Sequence, residues 1–201
     1  MVAIAFVASV LACVAPPDAA VVGFWESEGT SRGGIGQTIE LKASGELLSA
    51  MTIMVDAVYR VADGKLFVAE GGAPYKVTKD ALVQTDDKGD EIRKERVGGQ
   101  AEGKDPLVGA WRYRHYTGAI AFERYTEDGR LLFRLPMTSQ QGCYRATGDA
   151  LSLDMAGRTS TAQYTVVGTT LTLRSADGKT YTYRRAEPWY PREQIDYQPP
   201  K

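Results

Sequence analysis

Val21-Val22-Gly23-Phe24-Trp25 and Leu107-Val108-Gly109-Ala110-Trp111 follow one pattern, an apolar pair and then Gly-X-Trp, about 86 residues apart. Further matched positions follow each copy in the same order: Ser44-Gly45 with Asp128-Gly129, Tyr59 with Tyr144, Leu66 with Leu151, Tyr75 with Tyr164. Matches in one order over such a distance indicate an internal duplication. We expect two repeats, at residues 21–98 and 106–187, joined by a small polar linker at 99–105.

Apolar and polar residues alternate along each repeat. In the second repeat the apolar residues that share a face are Leu131, Phe133 and Leu135, then Leu151, Leu153 and Met155, then Ala162, Tyr164 and Val166. This alternation is typical of half-buried strands. Turn signals such as Asp177-Gly178 separate the runs so closely that only hairpins fit between them. The sequence therefore predicts an all-β protein.

We expect two tandem, small, antiparallel up-and-down β-barrels of about eight short strands each, because closure removes exposed sheet edges. One larger barrel or sandwich built from both repeats is the alternative, since so short a unit has marginal stability. Residues 1–103 carry 10 basic and 15 acidic side chains, and residues 104–201 carry 14 and 10, so the halves could attract each other. The net charge of −1 gives no reason to expect binding to nucleic acid.

The first 20 residues are interpreted as a signal-peptide-like segment and a short linker. Met1 to Ala15 is an uncharged apolar run, typical of the hydrophobic region of a secretory signal peptide and too short to span a bilayer. Val10-Leu11-Ala12-Cys13 resembles the bacterial lipobox, which implies lipidation of Cys13; a soluble periplasmic protein is the alternative. We therefore expect an exported protein of the periplasm or cell envelope, with membrane contact only through a lipid anchor at Cys13.

Cys143 is the one other cysteine, so no intrachain disulfide can form once Cys13 is lipidated or removed. Cys143 is then expected to be a small buried hydrophobic residue. At the far end, the proline-rich tail at 188–201 is either an arm packed by Trp189 or a disordered end.

Each repeat also ends with an arginine, Arg96 or Arg185. With Gly-X-Trp on a first strand and an arginine on the last, the chain resembles bacterial lipocalin-like, calycin-type domains. The resemblance implies that each arginine packs across the tryptophan of its own repeat, Trp25 with Arg96 and Trp111 with Arg185, and so closes a barrel. These four residues would have a structural role. The strands are shorter than in typical lipocalins, so side chains could fill the interior.

His115 is the only histidine, and alternation places it with Trp111 and Tyr113 on one face. Tyr113 and His115 are the candidate ligand contacts, at the mouth of a barrel. One histidine cannot build a histidine-based zinc site, and Cys143 adds no partner at ligand spacing. The Gly-X-Ser-X-Gly pattern and phosphate-binding glycine loops are absent. We therefore expect no metal, no cofactor, no catalytic residue and no enzymatic activity.

A basic and aromatic set is expected on the face opposite Trp111, as a contact for an anionic partner or as a plain exterior face: Arg112, Arg114, Arg124, Tyr116 and Tyr125. The function we predict is a non-enzymatic, exported, lipocalin-like protein that binds a small apolar or amphipathic ligand in the cell envelope. The alternative is a periplasmic protein–protein interaction module or inhibitor that uses exposed Arg and Tyr side chains.

Overall fold

The fold is all-β in the computed structural model, which describes residue 13 and residues 18–98 and 102–191. The first repeat contains β1 (Gly23–Ser27), β2 (Ile35–Leu41), β3 (Glu46–Ala62), β4 (Lys65–Val68), β5 (Gly71–Val77), β6 (Ala81–Thr85) and β7 (Glu91–Arg96). The second repeat contains β8 (Gly109–Arg114), β9 (Ile120–Tyr125), β10 (Arg130–Thr147), β11 (Ala150–Met155), β12 (Arg158–Val167), β13 (Thr170–Ser175) and β14 (Thr180–Ala186). Each repeat thus has seven strands where about eight were expected.

Three predictions fall wholly or partly on residues outside this range. The signal-peptide-like segment lies outside the described residues except for Cys13 and residues 18–20, as do positions 99–101 of the linker and the tail beyond 191. Across the described ranges, no helix is long and apolar enough to cross a membrane.

The strands form one antiparallel sheet that closes into a ring. Each strand pairs with its neighbours in sequence, β7 pairs with β8, and β1 closes the ring by pairing with β14. Each repeat was expected to close on itself, β1 with β7 and β8 with β14. The first strand of each repeat pairs instead with the last strand of the other. This is nearer to the alternative, a single sheet structure built from both repeats.

A long ribbon of β3 and β10 crosses the ring. The two strands have 17 and 18 residues, and they pair from Arg130 opposite Val58 to Cys143 opposite Glu46, with a bulge between Pro136 and Thr138. β3 pairs with β2 in its first part and β4 in its last part, and β10 pairs with β9 and then β11. The ribbon therefore divides the ring into two circuits of eight strand segments.

The first circuit contains β1, β2, the start of β3, the end of β10 and β11 to β14. The second circuit contains the end of β3, β4 to β9 and the start of β10. Each circuit is thus built from both repeats, because β3 and β10 run from one circuit into the other.

The tryptophan–arginine pairs follow this exchange. Arg185 lies over the ring of Trp25, 4.1 Å from its centroid, and Arg96 lies over Trp111 at 4.0 Å. The pairs expected within one repeat, Trp25 with Arg96 and Trp111 with Arg185, are therefore wrong. A side chain at Gly23, where φ is +144°, would collide with the guanidinium of Arg185, which gives a physical reason for the glycine in Gly-X-Trp.

Each circuit encloses its own apolar cluster. The first cluster contains Val21, Trp25, Ile39, Leu41, Leu47, Tyr144, Leu151, Tyr164, Leu171, Leu173 and Tyr183. The second contains Leu66, Leu82, Leu107, Trp111, Tyr125 and Leu131. Alternation predicted several inward faces, and the shared face of Leu151, Leu153 and Met155 is confirmed.

A third apolar cluster, Phe24, Phe122 and Tyr190, joins β1 to β9. Beside it, the buried guanidinium of Arg134 on β10 donates to Glu26 on β1 at 2.9 and 3.0 Å. The tail is thus a packed arm as far as residue 191, but the ring that it buries is Tyr190 rather than Trp189. Several ion pairs place an acid from residues 1–103 against an arginine from residues 104–201, as the charge imbalance suggested.

Candidate functional site

A buried ion pair lies inside the second circuit. Lys94 on β7 and Glu123 on β9 meet across β8, with 2.5 Å between Nζ and Oε2 and side chains that are 4% and 8% exposed. The hydroxyl of Tyr125 donates to the same carboxylate oxygen at 2.7 Å. The Lys94 ammonium also lies 4.8 Å from the centroid of the Tyr113 ring. Four polar side chains thus converge in an otherwise apolar interior.

The electrostatics of this cluster keep both tyrosines protonated. Burial raises the pKa of Tyr113 and Tyr125, and the negative charge of Glu123 raises both values further. Both hydroxyls therefore stay neutral at physiological pH, and they remain available as hydrogen-bond donors to the carboxylate. Lys94 and Glu123 form an ion pair of opposite charges in this interior.

Aromatic side chains form a rim outside the ion pair. His115 lies 6.4 Å from Tyr113, 6.1 Å from Phe133 and 4.1 Å from Tyr116, measured between ring centroids. Tyr113, His115 and Phe133 are half-buried, whereas Tyr116 is 89% exposed. We call these four residues the aromatic rim. The rim is partly accessible from solvent, and Tyr113 connects it to the buried Lys94.

His115 contributes no charge to the rim at neutral pH. Burial lowers the pKa of His115, although the negative charge of Glu123 partly opposes this shift. Its Nδ1 is 3.0 Å from the Thr117 hydroxyl, which orients the imidazole. The rim is therefore an uncharged aromatic surface at pH 7.

Small and aliphatic residues lie against the rim. Ala119, Ala121 and Leu135 are fully buried, and the half-buried Ile53, Tyr113 and Phe133 pack on them. Ile53 comes from β3 and Leu135 from β10, so the ribbon supplies one wall of the site and β8 and β9 supply the rest. Both repeats contribute to the site.

The sequence predicted Tyr113 and His115 as ligand contacts, and the structure places both in the rim. It missed Lys94 and Glu123. The alternation on β9 could have indicated Glu123. Ala121, Glu123 and Tyr125 are alternate residues of one strand and share a face, so Glu123 is inside wherever Tyr125 is inside.

The basic and aromatic set does not form one exterior face. Tyr125 is 1% exposed and points into the second circuit, because consecutive residues of a strand point to opposite faces and Arg124 points outward. Arg112 pairs with Glu95 at 3.1 Å, and Arg124 pairs with Glu102 at 2.7 Å. Arg112 is therefore paired with an acid of the first repeat, and Arg124 with an acid of the linker.

A disulfide joins the two cysteines. Cys13 and Cys143 are bonded with 5.5 Å between their Cα atoms. No intrachain disulfide was expected if Cys13 is lipidated or removed; in the structure Cys13 is present and bonded, so Cys143 is not the free buried residue that was expected. A cavity of about 720 Å³ lies beside this bond, but none of the rim residues lines it.

No group of three His, Cys, Asp or Glu side chains that could hold a metal ion occurs in the described ranges. No protein-family model matches the chain, and a search of curated proteins finds no match either. The functional argument therefore depends on the geometry of the site.

Proposed function

We propose that the protein is a non-enzymatic, lipocalin-like binding protein that holds a small apolar or amphipathic ligand at the aromatic rim of the second circuit. The observation that carries this proposal is the position of a solvent-accessible, uncharged aromatic surface directly outside a buried ion pair. Small-molecule sites are lined mostly by hydrophobic and aromatic side chains with a few convergent polar groups, and the rim and the ion pair supply both kinds of side chain.

The chemistry of the site favours a planar apolar group that carries one hydrogen-bond acceptor. Tyr113, His115 and Phe133 offer ring faces and edges for stacking. A lysine ammonium has three N–H donors, and Glu123 is its one hydrogen-bond acceptor in the described part of the chain. A carbonyl or carboxylate oxygen of the ligand would accept a further hydrogen bond from Lys94.

Two features support a lipocalin-like architecture in which each circuit is a small barrel. Each circuit encloses its own apolar cluster, and each is closed by one tryptophan under one arginine. Matched residues also make matched contacts, since Tyr144 donates to the carbonyl of Lys42 and Tyr59 donates to that of Thr126, both at 2.8 Å. These contacts support the duplication that the sequence indicates.

We place the protein outside the cytoplasm, in the periplasm or envelope, on the apolar run at residues 1–15 together with the disulfide. A role as a protein–protein interaction module or inhibitor has less support, because Arg112 and Arg124 are paired within the chain. Glu123 is held by Lys94 and Tyr125, so we assign it to binding rather than to catalysis.

The test is a fluorescence titration of the full chain with 1-anilinonaphthalene-8-sulfonate, an aromatic probe with a planar naphthalene ring system and one anionic sulfonate group. We expect saturable binding, and about tenfold weaker binding in Phe133→Ala, which corresponds to roughly 1.4 kcal/mol. Val167→Ala is the matched control, because Val167 is an exposed apolar residue of the first circuit, 76% accessible. Equal affinities in the two variants, or no saturation, would contradict the proposal.

Native and denaturing mass spectra of the protein from its own cells give a second test. A mass increment that is lost on denaturation is the expected result. A polypeptide that carries no ligand but copurifies with one stoichiometric protein would favour the interaction module instead.

A further inference from the structure

We infer that Cys13 is retained in the mature protein as the disulfide partner of Cys143, and that it does not serve as a lipid-anchored N-terminus. This inference is independent of the ligand site. A cysteine sulfur that carries a thioether-linked lipid cannot also form a disulfide, so the two fates of Cys13 exclude each other. The structure presents one of these fates, with the two Cα atoms at an ordinary disulfide separation of 5.5 Å.

Cys13 packs against residues of the first circuit. Cys13 lies against the turn between β2 and β3, where a Cβ at Gly45 would come within 3.3 Å of the Cys13 Cβ. Its sulfur is 3.9 Å from the carbonyl oxygen of Gly142, which directly precedes Cys143 on β10. Residue 13 is thus packed between the turn that precedes β3 and strand β10.

The matched position in the second circuit shows what the disulfide changes. Tyr144 matches Tyr59, so Cys143 matches Val58, and Val58 is 70% exposed. Cys143 is only half-exposed by comparison, and Cys13 is bonded to it. The second circuit therefore has an open strand surface where the first carries a covalent attachment.

Formation of this disulfide requires an oxidising compartment. Two thiols form one disulfide by losing two protons and two electrons, and the acceptor we name is a second disulfide, which is reduced to two thiols as it exchanges. Such exchange runs toward oxidation in secretory and periplasmic compartments and away from it in the cytosol. If a leader is removed from the chain, the cleavage site must then lie before Cys13.

The bond also links distant parts of the chain. It spans 130 residues and ties a position before the first repeat to β10 in the second repeat. A closure of this length constrains the unfolded chain strongly, so its removal should lower the melting temperature by roughly 5–15 °C. The pair Cys13→Ser/Cys143→Ser removes the bond without changing the volume much.

The experiment is intact-mass analysis and non-reducing peptide mapping of the full chain, produced with export and recovered from the cell envelope. We expect a peptide pair linked through Cys13 and Cys143, no free thiol after denaturation, and a melting temperature that falls on reduction. Reduction should leave the melting temperature of Cys13→Ser/Cys143→Ser unchanged. A lipid increment on Cys13 with a free Cys143, two free thiols, or a mature chain that begins after residue 13 would each overturn the inference.

Discussion

The two circuits share a closure and differ in the layer of side chains next to it. In both, a fully buried tryptophan lies under an arginine and donates its indole N–H to a backbone carbonyl, 2.8 Å away in the first circuit and 2.9 Å in the second. Two residues before the arginine, the first circuit has Tyr183 where the second has Lys94. Opposite the tryptophan, the first has Ile39 where the second has Glu123.

Next to the closure the first circuit uses neutral side chains, whereas farther along Tyr164 donates to the Asp18 carboxylate at 2.7 Å. Tyr183 donates to Gln37 at 2.7 Å, and Gln37 donates to Ser49 at 2.9 Å. A duplicated frame can therefore be filled at this level by neutral side chains. The ion pair in the second circuit is not needed for closure, and buried pairs add little net stability compared with apolar side chains of similar volume. The difference between the circuits therefore supports the proposed binding role of Lys94 and Glu123.

The largest effect should come from removing the feature that the circuits share. Trp25→Ala and Trp111→Ala should each lower the free energy of unfolding by about 4–5 kcal/mol, because each removes a fully buried indole and uncovers an arginine. Urea denaturation measures this, with Trp189→Ala, a half-buried tail residue, as the milder control. A large loss in only one of the two circuits would break the equivalence of their closures.

The next effect should come from the layer where the circuits differ. Glu123→Gln leaves Lys94 buried without a countercharge and should cost about 3 kcal/mol at pH 7. Lys94→Met/Glu123→Leu replaces both charges with apolar groups, so it should regain most of this stability and still weaken probe binding. Urea denaturation and the probe titration would measure the two effects. If the double variant bound the probe like the wild type, the ion pair would have no part in the site.

A pair of matched tyrosine variants should sharpen the comparison at a smaller scale. Tyr125→Phe removes a hydrogen bond to a charged carboxylate, and we expect a loss of about 1.5–3 kcal/mol. Tyr183→Phe removes a bond to a neutral amide, with an expected loss of about 0.5–1.5 kcal/mol. Urea denaturation of both variants under identical conditions compares the two losses in the free energy of unfolding. A larger loss in Tyr183→Phe than in Tyr125→Phe would show that the hydrogen bond to Glu123 is not the stronger of the two.

The sequence predicted the strands well because their period and turn chemistry are local. Gly129 and Gly178 do adopt positive φ, +79° and +84°, in the hairpins expected there. The sequence could not show that the first strand of each repeat pairs with the last strand of the other. Each repeat carries the same Gly-X-Trp and the same arginine, so the pattern does not reveal which arginine packs on which tryptophan. The informative feature was the length of β3, since Glu46 to Ala62 contains no glycine or proline. A strand of this length extends beyond one small barrel.

The site was partly visible for a similar reason. Alternation from Trp111 placed Tyr113 and His115 on the inner face, and this depends only on one strand. Lys94 and Glu123 come from β7 and β9, so their meeting depends on which strands are neighbours and on their register. A single lysine or glutamate in an alternating strand gives no sign of its partner. The ion pair therefore needed the three-dimensional arrangement.

The smallest effect should be a pH dependence of the stability of the fold, which we attribute to the second circuit because it contains the chain's only histidine. Burial lowers the pKa of His115, so the folded chain favours the neutral ring and the unfolded chain binds a proton near pH 6.5. The stability from this group is present above pH 6.5 and is lost as the pH falls through the lower folded pKa. The denaturation midpoint should therefore fall slightly from pH 7.5 to 5.5, and less in His115→Gln. An equal fall in both proteins would assign the dependence to other groups.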